Sequence, residues 1–571
     1  MHSYRPTLTG TRHMISAGHH AAAHAGFTVL EAGGNAVDAG VAAGIALGVL
    51  QTDLVNFAGV APMLIYLAGT REVVNIDGLG TWPQAADINV FIQQHGGKMP
   101  PGILRTVIPA APYAWITALE KYGTMSFSEV AQAAIRFARD GFAMHWLMAG
   151  FIEQNEAEYR RWPSNAQIFL PNGKPPRVGD IFVQSDLGRT LQYMADEEAV
   201  QSGNGRVAGL HAARNAFYRG DIAATIARYH RDNGGWVTMK DMADYTVSFE
   251  TPQRTRFGGV DLYTCGPWSQ GPVLPQALNI LSGLDLRGLG HNSTPYIHAV
   301  TEALKLAFAD RQCYYGDPNF VSVPMDSLLS ASYADEQRKR IDPQKAAPGM
   351  PQPGILAGHA AHSPQLPPAA RGNPPPAPDT SYVSVIDRHG NAFSATPSDA
   401  SSATPVIPGI GLCPSSRGSQ SWCDPRHPAS VAPGKRPRLT CSPAMALRNG
   451  KAYMPFGSPG NDVQPQAMLQ VFLNLHVFGM DLQSAIEAPR FATYSYPSSS
   501  EPHTYLPARL TLENRVPRAT GDALASLGHD IKWWPELEEA AGAVCAIRVN
   551  PDTGVLEGGA DPRRLAYALG W

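Results

Sequence analysis

The pair Asp379-Thr380 stands at the sharpest change of character in the chain. Upstream, from Lys345 to Asp379, ten prolines fall within 35 residues and no apolar period is sustained. A stretch of this kind buries too little to offset its ordering entropy, so it reads as a mobile tether. Downstream, Ser381 to Asp387 (SYVSVID) and Ala392 to Thr396 flank Arg388-His389-Gly390-Asn391, the pattern of two strands around a glycine-containing turn. A threonine hydroxyl is a weak nucleophile and needs a base within hydrogen-bond reach. Were the bond after Asp379 cut, Thr380 would begin a chain, and its own α-amine, with a pKa of about 8, would be that base. The same residues also suit an interdomain linker followed by an ordinary strand start. The dipeptide alone does not separate the two readings.

The elements that must position such a threonine are legible on both sides. Gly33-Gly34-Asn35 can end one helix and let Asn35 cap the next. That next segment, Val37 to Leu50, is the most hydrophobic in the chain, too short to span a bilayer, and expected as a buried helix. Pro62 to Leu67 and Glu72 to Ile76 read as strands joined by a turn at Gly69, and several helices follow between 109 and 250. Tyr296 to Arg311 has helical apolar spacing. Past the hairpin, helices are expected from about Val463 to His476 and from Pro517 to Leu527, with Gly528 just beyond the second.

Composition narrows the function classes. The 571 residues are 44% hydrophobic and 16% charged with a net charge of −3, which suits an enzyme with an ample core and offers no general basic surface to nucleic acid or acidic membranes. Six scattered cysteines form no CxxC pair, and the polar start MHSYRPTLTGTRHM lacks the apolar core of a secretory signal, so cytoplasm is the expected compartment. No GxSxG elbow and no GxxxxGK[ST] loop occurs. His20 and His24, with His19 beside them, have helical ligand spacing, but no carboxylate completes a triad nearby, so no metal and no cofactor are expected. Glu302, Lys305 and Asp310 are explained by pairing on a helix surface.

The run DTSYVSVIDRHGNAFSATPS from Asp379 resembles the autoprocessing site of the γ-glutamyltransferase family. VLEAGGNAVDAGVAAGIALGV (Val29 to Val49), GGWVTMKDMADY (Gly234 to Tyr245), EALKLAFADRQCYYGDPNFVSVP (Glu302 to Pro324), PGKRPRLTCSPAMA (Pro433 to Ala446) and FGSPGNDVQPQ (Phe456 to Gln466) match further landmarks in the family order. The resemblance implies an N-terminal nucleophile hydrolase, an α/β (α+β) fold arranged as a four-layer αββα sandwich. It implies a precursor that cuts itself between Asp379 and Thr380. Residues 1–379, with the tether at 345–379, would become a large subunit, and 380–571 a small catalytic one, in a single intertwined body. It implies Thr380 as nucleophile, Ser398 where the family has a threonine touching the nucleophile's amine, and Gly460 and Asn461 where a Gly-Gly pair forms an oxyanion hole. The expected partners are a small-molecule amide, the companion subunit and, in a homo-oligomer, further copies of the processed heterodimer.

The glutamyl contacts of the family are not matched. After Ile76-Asp77, Leu79 stands at the place of an arginine, and Ala400 at the place of an asparagine. Ser415-Ser416-Arg417-Gly418 replaces an acidic pair, and Leu439-Thr440 a serine pair. A buried charge without partners costs several kcal/mol, so γ-glutamyl groups should bind poorly. Arg417 puts a base where acid is usual, and its guanidinium suits a carboxylate; a solvated loop arginine is the alternative. The pattern is similar to the branch with cephalosporin acylases and small-amide hydrolases such as oxamate amidohydrolase. A true γ-glutamyltransferase with a rearranged pocket and a non-catalytic scaffold are the competing readings.

Overall fold

Alternating strands and tight turns assemble two seven-stranded antiparallel sheets in a computed structural model that describes residues 3–356, 358–359, 366–372 and 380–571. Asp379, with the bond expected to be cut, lies outside the described residues, as does part of the proline-rich segment. One sheet runs in the order Tyr567–Gly570, Met14–Ala17, Val383–Ile386, Ala392–Ala395, Met63–Leu67, Glu72–Ile76, Phe249–Glu250. The other runs Leu8–Gly10, Leu556–Ala560, Cys545–Val549, Lys451–Gly457, Ala444–Arg448, Val260–Thr264, Gln253–Phe257.

Inner strands such as Met14–Ala17, Val383–Ile386 and Ala392–Ala395 are buried on both faces, so their side chains divide between two cores. Met14, Leu64 and Tyr66 of the first sheet meet Met445, Leu447 and Ile547 of the second in a layer between the sheets. The opposite face of the first sheet packs on helices that include Ala36–Leu50, Ala111–Tyr122 and Phe127–Asp140. The outer face of the second packs on Val273–Leu281, Thr294–Tyr314 and Gln464–His476. This is the expected αββα sandwich. No helix among the described residues is long and apolar enough to cross a membrane.

The helix Ala36–Leu50 is buried at every residue, as an all-apolar helix must be. Asn35 and Asp38 cap it reciprocally, and Ala36 N–H donates to the Asp387 carboxylate at 3.0 Å. Asp387 also accepts from His389 N–H, Asn391 N–H and the Asn391 amide, so one carboxylate closes the hairpin turn and seats it on the helix N-terminus. The hairpin that begins just after Thr380 is thereby fixed at its far end. The strands Met63–Leu67 and Glu72–Ile76 and the helix Gln464–His476 stand where the sequence places them; Pro517 lies just outside its helix, Arg518–Ser526.

One expectation is corrected. Glu302, Lys305 and Asp310 do not lie on a helix surface, because Thr294–Tyr314 is buried from Tyr296 onward. They hold the start of the proline-rich segment instead. Ala347 donates its N–H to Glu302 at 3.1 Å and takes the Lys305 ammonium on its carbonyl at 2.9 Å, and Gly354 N–H donates to Asp310 at 2.8 Å. Further on, Met350 N–H donates to the Tyr505 hydroxyl, Ala370 N–H to the Tyr505 carbonyl, and Arg509 to the Gly372 carbonyl. The described parts of the segment therefore make hydrogen bonds to residues distant in sequence, which its own composition does not reveal.

Candidate active site

Thr380 lies just before the strand Val383–Ile386 and forms an antiparallel bridge with Ser398, just after the partner strand. The hairpin thus brings residues 18 positions apart side by side, and the two hydroxyl oxygens stand 2.9 Å apart. Ser398 is pinned in turn by its own N–H to the Val60 carbonyl at 3.0 Å and by Val60 N–H to its carbonyl at 3.2 Å. Gly59 makes that approach feasible: a Cβ there would stand 2.2 Å from the Ser398 carbonyl oxygen. Both hydroxyl residues are fully buried.

Arg417 is not a solvated loop arginine. It is 1% exposed, donates to Ser398 Oγ, and its Nε stands 3.8 Å from Asp399 Oδ2. Asp399, adopting φ +135° although it is not glycine, accepts from the hydroxyls of Ser415 and Ser416 at 2.5 Å each and from Ser416 N–H at 3.1 Å. This carboxylate organises the loop that carries Arg417. Backbone strain of this kind persists only where surrounding contacts over-determine it.

The positions expected to lack glutamyl contacts are all buried. Leu79 and Leu439 join Val60, Cys265, Trp268 and Cys441 in one fully buried apolar cluster. The Cys441 sulfur is 3.5 Å from Thr380 Oγ1. Ala400 is buried, and Gly418 has no room for a side chain, since a Cβ there would meet the Arg105 carbonyl oxygen at 2.3 Å and the Trp82 ring at 2.6 Å.

Gly460 and Asn461 form the turn between the strand Lys451–Gly457 and the helix Gln464–His476, both with left-handed backbone, φ +116° and +50°. Gln270, itself buried, holds that turn by donating to the Asn461 carbonyl at 2.7 Å and to the Thr440 carbonyl at 2.8 Å. Three residues past Asn461, Gln464 Nε2 reaches Thr380 Oγ1 at 3.3 Å. Sequence reasoning singled out neither Gln464, Cys441, Asp399 nor Gln270. A glutamine opening the helix just after the Gly460-Asn461 turn is the signal for the first.

The ring nitrogens of His298 and His529 and a Glu302 carboxylate oxygen lie within 4.8 Å of one another, away from His20 and His24. The Lys305 ammonium, 2.7 Å from Glu302, already supplies positive charge there, and a second cation would be buried without compensation.

A sequence profile described as Gamma-glutamyltranspeptidase matches residues 22–571. The chain is 34% identical to the Acylase ACY 1 proenzyme of Pseudomonas sp. (strain SE83), over 97% of this chain and 92% of that protein. It is 31% identical to the Glutathione hydrolase proenzyme of Escherichia coli (strain K12), over 95% and 89%. Among solved structures, the cephalosporin acylase from Bacillus halodurans superposes with a TM-score of 0.86 at 28% identity, covering 100% of this chain and 98% of that one. With its profile match across nearly all of the sequence, the chain belongs to the gamma-glutamyltranspeptidase family.

Proposed function

We infer that the protein is an amide hydrolase that matures by cutting itself before Thr380 and then uses Thr380 as its nucleophile. The observation that carries this is the convergence on Thr380 Oγ1 of Ser398 Oγ at 2.9 Å and Gln464 Nε2 at 3.3 Å, with Arg417 behind Ser398. In the precursor the hydroxyl attacks the preceding carbonyl, the acyl group passes from nitrogen to oxygen, and water hydrolyses the resulting ester. The freed α-amine, with a pKa of about 8, is then the base for each substrate turnover. Gly460 and Asn461 supply the N–H groups for the oxyanion. Each such donor is worth about 3 kcal/mol.

The acyl group that fits is one with a carboxylate and no α-ammonium. The wall of Leu79, Leu439, Trp268 and Cys441 offers no partner to an ammonium, whereas Arg417 offers a guanidinium. The similarity to proteins named acylase supports this choice over glutathione-type substrates. Glutaryl p-nitroanilide should therefore exceed γ-glutamyl p-nitroanilide in kcat/KM. Arg417→Ala should raise KM for the glutaryl compound and also slow maturation, because the same guanidinium holds Ser398. A preference for the γ-glutamyl compound would favour the rearranged γ-glutamyltransferase instead.

A further inference from the structure

Gln464 touches the nucleophile's oxygen, and no chemical step of the scheme above uses it. It opens the helix Gln464–His476 and is fully buried. Its Oε1 accepts the Ser442 N–H at 3.3 Å, which settles the orientation of the amide and turns Nε2 toward Thr380 Oγ1, also at 3.3 Å. An amide nitrogen only donates. Thr380 Oγ1 is thus an acceptor on this side, leaving its own proton for another neighbour such as Ser398 Oγ, 2.9 Å away.

A hydrogen bond donated to an attacking oxygen draws charge out of it and gives attack little help. When the same oxygen leaves, charge grows on it and the same donor stabilises the transition state. The geometry points to Gln464 as a catalytic residue for the steps in which Thr380 Oγ1 is the leaving group, an inference that rests on Thr380 being the nucleophile. Those steps are hydrolysis of the acyl-enzyme and hydrolysis of the ester formed during self-cleavage. In each, a water oxygen bonds to the acyl carbon and one water proton passes to the Thr380 α-amine. The bond from that carbon to Oγ1 then breaks, its electron pair goes to Oγ1, and the ammonium returns the proton there. Gln464 contributes no proton and no electrons; its N–H bears on the charge developing at Oγ1.

The test compares Gln464→Met, which loses both hydrogen bonds, with Gln464→Glu, which keeps an acceptor for Ser442 N–H and lacks the donor at neutral pH. In both, kcat on glutaryl p-nitroanilide should fall about 100-fold, the usual effect of removing one such donor. KM should fall in proportion, leaving kcat/KM within a few-fold of the parent, because the acyl-enzyme accumulates. Mass spectrometry of the small chain in the steady state should show the glutaryl mass on the Thr380 peptide. Stalled precursor should be split by hydroxylamine, which cleaves esters. An unchanged kcat in Gln464→Glu, or a loss of kcat/KM with no acyl-enzyme, overturns the role. Glutaryl mass on a residue other than Thr380 overturns it together with the nucleophile assignment.

Discussion

Thr380→Ala is expected to leave the chain uncut and inactive. Both reactions need the same hydroxyl, and Thr380 Oγ1 is the atom on which Ser398, Cys441 and Gln464 converge. Loss of a nucleophile costs on the order of 10⁶ in kcat where it has been measured. On denaturing gels the parent should give two chains of about 40 and about 20 kDa by residue count, while the variant should give one. Thr380→Ser keeps an alcohol and should mature slowly. N-terminal sequencing of the small chain should read Thr-Ser-Tyr-Val. Cleavage in the alanine variant at that same bond would show that another group does the cutting.

Mild acid should destabilise the protein steeply between pH 6.5 and 4. Burial pushes His145, His476 and His503 down to about 4, His230 and His529 down to about 3, and His19 well below the usual histidine range. A histidine depressed in the fold binds fewer protons there than in the unfolded chain. Its contribution is complete above about 6.5 and is lost as pH falls toward the folded value. Asp77 and Asp310 act oppositely, since burial raises them to about 7 and about 6, and what they contribute is lost as pH rises through those values. The depressed histidines outnumber the raised carboxylates, so the net slope follows the histidines. The denaturant midpoint should drop sharply between pH 6.5 and 4.5. A midpoint constant over that range would contradict the assignment of neutral buried histidines.

Local signals made much of this fold legible. Asn35 marks a capped helix, the run from Val37 to Leu50 marks its burial, and Ser381 to Thr396 marks the hairpin. These are short-range patterns whose cause lies within a few residues. The contacts that are not legible join residues far apart along the chain. Gln464 meets Thr380 across 84 residues, and Glu302 meets Ala347 across 45. A helix buried on all sides has no polar face, so the charges of Thr294–Tyr314 carry no period that reveals their partners. Arg417 is chemically apt by type, but its grip on Ser398 depends on Asp399, which holds Ser415 and Ser416 beside it.

The strand Met14–Ala17 lies between Tyr567–Gly570 on one side and Val383–Ile386 on the other, and Leu8–Gly10 pairs with Leu556–Ala560 in the opposite sheet. A chain cut before Thr380 would therefore have neither piece in possession of a complete sheet. The pieces could not part without tearing out central strands, so the cut leaves the native state in place and changes only the way back to it. An uncut molecule that unfolds can return alone, by a first-order search. A cut one must find its other piece in solution, so its recovery becomes second order and its apparent stability acquires a dependence on protein concentration. Maturation would convert a reversible folder into one whose unfolding, at cellular dilution, is seldom undone.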